Sequence, residues 1–520
     1  MKCLAQSLFL VAVGLVPAAK GELQWSSLDR PGQSVLQSAS MVERCRGACA
    51  TLREKYGDQL LLPDEVAYEE ELSKYWSLQQ SQTRPSCIFF PNDRDEASSA
   101  LLISRQAECP FAAKSGGHAA FAGSSNIAGG ITINLANLNE ITINRDRNTV
   151  TIGAGNKWVN VYRRLEEENL IVIGGRVAPI GVGGLTLGGG ISYFSNTYGW
   201  ACDNVASYEI VTASGIVVVA TPDANQDLYW ALRGGGNNLG LVTKFELFSY
   251  PLDHSAMWFG KMMHPAAQNA SLLQAFVDYG RRGAAEDLKS TILFSFVYLQ
   301  SQDQYVVVTE VEYPEKVADG THPAVYDAFF DVPDALRVTS ETKKLVDIAQ
   351  EHSDANPNGL RQSYWTATVK LDLALLHEIL AIWYAELEPI KGKIAGFVPV
   401  ITFQVVTMSM LERMKLNGGN ALGLQDEEVP LVSIVPSAMW TDAKDDAAIR
   451  TAYSNWVEKT TAKAKSRGLD HPYLYMNYAS EYQDPVEGYG KENSKRLREV
   501  AKKYDPEGFF QTLQPGYFKV

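Results

Sequence analysis

One histidine stands in a setting unlike any other in the chain: Lys114-Ser115-Gly116-Gly117-His118. Two glycines before an imidazole permit a tight turn with exposed backbone, and successive peptide N–H groups in such turns make a nest for an anion such as a pyrophosphate. On these residues alone His118 could be a general base, a metal ligand or a covalent anchor for a cofactor, or the motif could be a plain turn. A metal is the weakest of these readings, because the other six of the seven histidines stand far apart and none forms a helical ligand pair. No metal site is expected.

A second concentration of chemistry lies in Gly181-Val-Gly-Gly-Leu-Thr-Leu-Gly-Gly-Gly190. So much glycine lets backbone pass close to a flat or phosphorylated ligand. The run fails the dinucleotide fingerprint, since Thr186 stands where its third glycine belongs. The chain also carries no Walker-type Gly-Lys-Ser/Thr and no Gly-x-Ser-x-Gly elbow. Standard nucleotide, kinase and serine-hydrolase chemistries are therefore excluded.

The elements that must position these motifs fall into two textures. From about Cys87 to Pro251 short β-rich runs (Ile131 to Leu135, Val150 to Gly153, Ile216 to Ala220) alternate with a helical stretch, Trp158 to Glu168. Glycine clusters here, between Gly174 and Gly190 and between Gly234 and Gly240, and marks loops. From His254 to Leu469 glycine thins. Ile292 to Gln300 and Tyr305 to Val311 read as antiparallel strands around a polar turn, while Leu371 to Leu387 and Ala447 to Lys463 read as helices. Such a sheet with helices suits a domain covering a pocket.

At 520 residues two domains are expected. A net charge of −13 argues against nucleic-acid or anionic-membrane partners. Lys2, the apolar run Leu8 to Val16 and Pro17-Ala18-Ala19 form a basic start, a short apolar core and a small-residue cleavage site, so residues 1–20 are expected to be a secretory signal and the mature protein to be secreted. Five cysteines then remain, Cys45, Cys49, Cys87, Cys109 and Cys202, an odd number that leaves at least one without an internal partner. Asn269-Ala-Ser271 is a glycosylation acceptor motif.

Six motifs in order give the chain a family likeness. They are Lys114 to His118, Gly181 to Gly190, Tyr198-Gly-Trp-Ala-Cys-Asp-Asn-Val205, Asp227-Leu-Tyr-Trp-Ala-Leu-Arg-Gly-Gly-Gly-Asn-Asn-Leu-Gly240, Tyr475-Met-Asn-Tyr478 and Asp505-Pro-Glu-Gly-Phe-Phe510. Together they resemble the berberine-bridge-enzyme-like oxidoreductases, within the vanillyl-alcohol-oxidase (p-cresol methylhydroxylase) type of FAD proteins. The resemblance implies an α+β fold of two domains. An FAD-binding domain would span residues 21–253, with its core at 83–252. A substrate domain of antiparallel sheet flanked by helices would span 254–470, and a closing segment, 471–520, would return to the FAD domain. It implies FAD bonded through His118, with Lys114, Ser115, Gly116 and Gly117 forming the cofactor-binding turn. Gly181, Gly184 and Gly189 would lie near ring and pyrophosphate, with Gly240 and Val242 enclosing the far side. Such a link makes the flavin more oxidising and hydride removal easier.

The same likeness points to Tyr478 as catalytic base, with Tyr475 and Asn477 supporting flavin and substrate; an acidic residue of the substrate domain is the competing base. A tyrosine, with an ordinary pKa of about 10, can act only where its anion is stabilised, for instance beside a cation. Val177 stands where doubly linked members carry cysteine, so a single link is expected. Ile180 occupies a position often valine in oxidases, which argues against fast reaction with oxygen. Ser480 replaces an aspartate that often follows Tyr-x-Asn-Tyr. Cys49–Cys87 resembles the family's amino-terminal disulfide, with Cys45 as a competing partner and Cys109–Cys202 a further pairing left open. The function implied is oxidation of a small organic molecule by a monomer, as in fungal members that tailor secondary metabolites, with oxygen as one candidate acceptor. A secreted sugar or alcohol oxidase, a flavin-scaffold cyclase and an inert binding protein are the alternatives.

Overall fold

The computed structural model describes residues 39–252 and 256–520; the expected signal segment lies outside the described residues. Three sheets organise them. The first has four strands in the spatial order Leu60–Leu61, Cys87–Phe89, Ile131–Asn134, Phe111–Lys114; the last three run parallel, with Arg94–Gln106 the helix between the first two of these in sequence. Every residue of Cys87–Phe89 and of Ile131–Asn134 is buried, as strands covered on both faces must be. The second sheet is antiparallel, built on the long strand Leu241–Pro251 with Thr149–Gly153 and Val205–Val211 beside it.

The third sheet has nine antiparallel strands, from Arg337–Lys344 at one edge to Asp470–His471 at the other. Its centre is the hairpin Thr291–Leu299 and Gln304–Tyr313, turned by the left-handed Asp303, next to Val398–Val406 and Leu431–Trp440. In Thr291–Leu299 buried and half-buried residues alternate along the whole strand. Phe294 and Phe296 pack toward helices Leu373–Leu387 and Asp446–Ser466 in one apolar core, separate from the core of the first two sheets. The chain passes from the second sheet to the third between Pro251 and Ala256. Its final segment returns to the first sheet, where Phe111 N–H donates to the Leu513 carbonyl and the Phe111 ring stacks on Phe509.

Two disulfides fasten helix Ala39–Tyr56: Cys49–Cys87 to the first sheet, and Cys45–Cys109 to the segment leaving helix Arg94–Gln106. The open Cys109–Cys202 pairing is thereby corrected. Cys45 and Cys49 lie one helical turn apart on the same face and reach two different partners, while Cys202 is a buried free thiol. Asn269 begins a helix, and the amide nitrogen a glycan would need donates to the Tyr384 hydroxyl at 2.9 Å. Among the described residues no helix is long and apolar enough to cross a membrane, and no cluster of metal-ligating side chains occurs.

Candidate active site

A cavity of about 580 Å³ separates the glycine-rich loops from the third sheet. On one side Ser115, Gly116 and Gly117 meet the turn at Gly181. A Cβ on Gly116 would sit 2.3 Å from Gly181 N, and one on Gly181 would sit 2.2 Å from Gly116 N. The two backbones are in contact, so only glycine fits either place. Ser115 Oγ ties the turns together, donating to the Ala154 carbonyl at 2.6 Å and accepting from Gly183 N–H at 3.2 Å. A Cβ on Gly184, by contrast, would meet nothing within 4 Å; that position opens on the cavity. The run read as a loop contains a short helix, Val182–Leu187, whose own hydrogen bonds satisfy backbone that the cavity leaves dry.

His118 lines the cavity beneath Trp76, ring centroids 4.3 Å apart and nearly parallel. Burial lowers its pKa to about 4, so the imidazole is neutral at ordinary pH, and its Nε2 is buried with no hydrogen-bond partner. A neutral imidazole with an unpartnered ring nitrogen beside a glycine cradle fits a covalent flavin anchor. Among the described residues no group of three or more His, Cys, Asp or Glu side chains that could hold a metal ion includes His118.

Lys114 does not line the cavity. It is buried behind the turn, ion-paired to Glu71 at 2.5 Å and seated over the Tyr75 ring, where Asn134 also donates to Glu71. Burial lowers the Lys114 pKa against the pull of Glu71. Its role is to anchor the turn rather than to touch a cofactor. Gly189 is likewise set back: a Cβ there would strike the rings of Trp200 and Tyr475. Gly240 and Val242 do line the cavity.

Tyr475 and Tyr478, paired by sequence, have different tasks. The Tyr475 oxygen accepts from Gly190 N–H, Ile191 N–H and Asn477 Nδ2, at 3.0, 3.1 and 3.0 Å. Burial drives its pKa far upward, so its proton is held; it clamps the glycine loop. Asn477 completes the clamp by donating to the Leu185 carbonyl at 3.0 Å. Tyr478 instead accepts from Arg176 Nη2 at 2.8 Å, and the same nitrogen donates to Gln404 Oε1 at 2.5 Å. A guanidinium is always charged, and here it can compensate a negative charge forming on the phenol oxygen. Ser480 is buried outside the lining, its amide donating to Gln483.

Arg176, Gln404, Trp76 and a cluster around His352 escaped the sequence reading. A lone charge between Gly175 and Val177, inside a glycine-rich apolar run, was the available signal for Arg176. Nothing local marked the others, which come from distant strands and helices. In the cluster Glu310 binds Lys261 at 2.6 Å and His352 Nε2 at 3.3 Å. Despite burial, His352 and Lys261 hold Glu310 at about 2, while burial raises neighbouring Glu312 to about 8. His352 Nδ1 and the Tyr193 hydroxyl lie 2.7 Å apart, and Tyr193 donates to the Arg176 carbonyl. Glu310 lines the cavity, which makes it the acidic alternative to Tyr478.

A glycine cradle with a neutral histidine facing a cationic, phenol-bearing wall fits a flavoprotein oxidoreductase. A family described as "FAD binding domain" matches residues 85–221, and one described as "Berberine and berberine like" matches 474–515. The FAD-dependent monooxygenase tpcD of Cochliobolus heterostrophus is 37% identical over 459 residues, 86% of this chain and 87% of the relative. The bifunctional solanapyrone synthase of Alternaria solani is 33% identical, covering 91% and 89%. A structure of the glucooligosaccharide oxidase of Acremonium strictum, described as carrying a 6-S-cysteinyl, 8α-N1-histidyl FAD, superposes with a TM-score of 0.71 at 16% identity over 90% of this chain and 97% of that one. The chain belongs to the berberine-bridge-like family of FAD-dependent oxidoreductases.

Proposed function

We propose that this enzyme carries FAD bonded once, through His118, and oxidises a small fungal secondary metabolite with Tyr478 as proton acceptor. The observation that carries the reading is the neutral, unpartnered His118 imidazole opening on the same cavity as the Arg176–Tyr478 pair. Ser115, Gly116, Gly181, Gly184, Gly240 and Val242 would hold the cofactor. Bound flavin supplies a two-electron oxidant for a substrate C–H bond. Tyr478 takes the proton of the substrate's hydroxyl or acidic C–H, Arg176 balances the resulting charge, and Gln404 keeps Arg176 aimed. A single link follows from Val177 and from the absence of any cysteine in the cavity lining. The named relatives support metabolite tailoring. Two disulfides suit passage through an oxidising compartment.

Ile180 lines the cavity, so oxygen is expected to reoxidise the enzyme slowly. The test is anaerobic mixing with polyketide-type alcohols, followed by admission of air. Bleaching by substrate and slow recovery of colour are expected. Protein whose colour no candidate bleaches, or whose flavin washes out in acid, contradicts the proposal.

A further inference from the structure

We infer that the substrate is a largely hydrocarbon molecule with one polar end, read by the third sheet in two zones. This deepens, and rests on, the flavin-oxidoreductase reading of the cavity. In Thr291–Leu299, Ile292, Phe294 and Phe296 are buried toward the helices, while Leu293, Ser295, Val297 and Leu299 face the cavity. A sheet face turned to water carries polar residues by alternation. Here the second face is also apolar over much of its area.

Strand pairing orders that face into rows. Val297 lies opposite Val306 on one side and Val400 on the other, with Ser437 beyond Val400. Val398 lies opposite Met439. These six positions carry one hydroxyl and no carboxylate, amide or ring; beyond Ser437 the row ends at Tyr364, whose ring lies 5.8 Å from that of Tyr478. One step along, Ser295 and Thr402 face each other, flanked by Val308 and Val435. The next step brings Leu293 opposite Glu310, and Glu310 opposite Lys261. Gln404 stands two residues beyond Thr402 on the same strand and accepts from Arg176, the partner of Tyr478. Polarity therefore rises along the strands toward the reacting tyrosine.

Half-buried aliphatic side chains facing a cavity gain by contact with a hydrocarbon. The hydroxyls of a saccharide laid on the same rows would lose their water and find only Ser437 and, at the row's end, Tyr364, a heavy desolvation cost. The polar end of the substrate, the end that is oxidised, falls among Gln404, Arg176 and Tyr478. Its carbon skeleton lies on Val297, Val398 and Val400.

Calorimetric titration of the flavin-loaded protein with decan-1-ol and with cellobiose tests this without turnover. Decan-1-ol is expected to bind at least about tenfold more tightly than cellobiose. Val400→Thr, which keeps the shape and adds a hydroxyl, combined with Val297→Thr, should weaken decan-1-ol binding at least about fivefold without changing flavin absorbance. Equal or tighter cellobiose binding, no heat from decan-1-ol up to its solubility, or binding indifferent to the two substitutions would overturn the inference. Colourless protein would overturn the flavin reading instead, and the paired valine substitutions still report on the sheet in that preparation.

Discussion

The two walls of the cavity are made of different parts of the polypeptide. On the cofactor side the surface is backbone: Gly116 against Gly181, Gly184 bare, and Tyr475 with Asn477 holding the loop from behind. On the sheet side the surface is side chains presented by strands far apart in sequence, with one charged row and several aliphatic ones. A wall of backbone has few ways to vary, because any added Cβ either collides or occupies the ligand's space. A wall of alternating side chains can be repainted residue by residue while the strands stay paired. The first wall thus suits a cofactor common to a family, and the second suits a substrate particular to one member.

The sharpest way to break this contrast is at Tyr478, the point where the walls meet. Tyr478→Phe should lower kcat by about 10²–10⁴-fold with flavin content unchanged, the range of a lost general base. Stopped-flow reduction of the flavin measures it, and a loss below tenfold would transfer the proton to Glu310. Next come two glycines that look alike in sequence. Gly181→Ala forces a Cβ into Gly116 and should abolish flavin incorporation along with much of the stability. Gly184→Ala meets no protein atom, so it should melt like the parent yet carry less flavin; thermal unfolding reads the first and the ratio of visible to ultraviolet absorbance the second.

Tyr475→Phe leaves Gly190 N–H and Ile191 N–H without their acceptor and should cost about 1–3 kcal/mol of stability in denaturant unfolding. Its effect on proton transfer should be far smaller than that of Tyr478→Phe. The last effect is in the sheet, and it is one of pH. Folded Glu312 keeps its proton up to about pH 8, whereas the unfolded chain releases it near 4.5. Unfolding therefore releases a proton between those values, and stability falls as pH rises through the window. Glu312→Gln, neutral throughout, should remove that slope, so its gain in Tm should be larger at pH 8 than at pH 5.

The same contrast explains what the sequence could disclose. A backbone wall announces itself locally, since Gly116-Gly117-His118 and Gly181 to Gly190 are contiguous runs whose residue types have few other uses. The hairpin Thr291–Leu299 and Gln304–Tyr313 was legible too, from its alternation and polar turn. Illegible was the register that sets Val297 beside Val400, a hundred residues away in the chain, and the pairing of Cys45 with Cys109. Lys114 came with the motif that the resemblance assigns to the cofactor, while tertiary structure had placed Glu71 behind it. Tyr475 and Tyr478 share a motif, yet a three-residue offset in a tight turn sends one hydroxyl to the loop and the other to Arg176.

One imidazole carries the whole assignment. Protein recovered from a eukaryotic secretory host should be digested and the peptide containing residue 118 weighed, alongside the same peptide from a Val177→Cys variant and from His118→Ala. The account predicts a flavin adduct on the His118 peptide of the parent and of the Val177→Cys variant, and none in His118→Ala. A peptide of unmodified mass from yellow, active enzyme would contradict it.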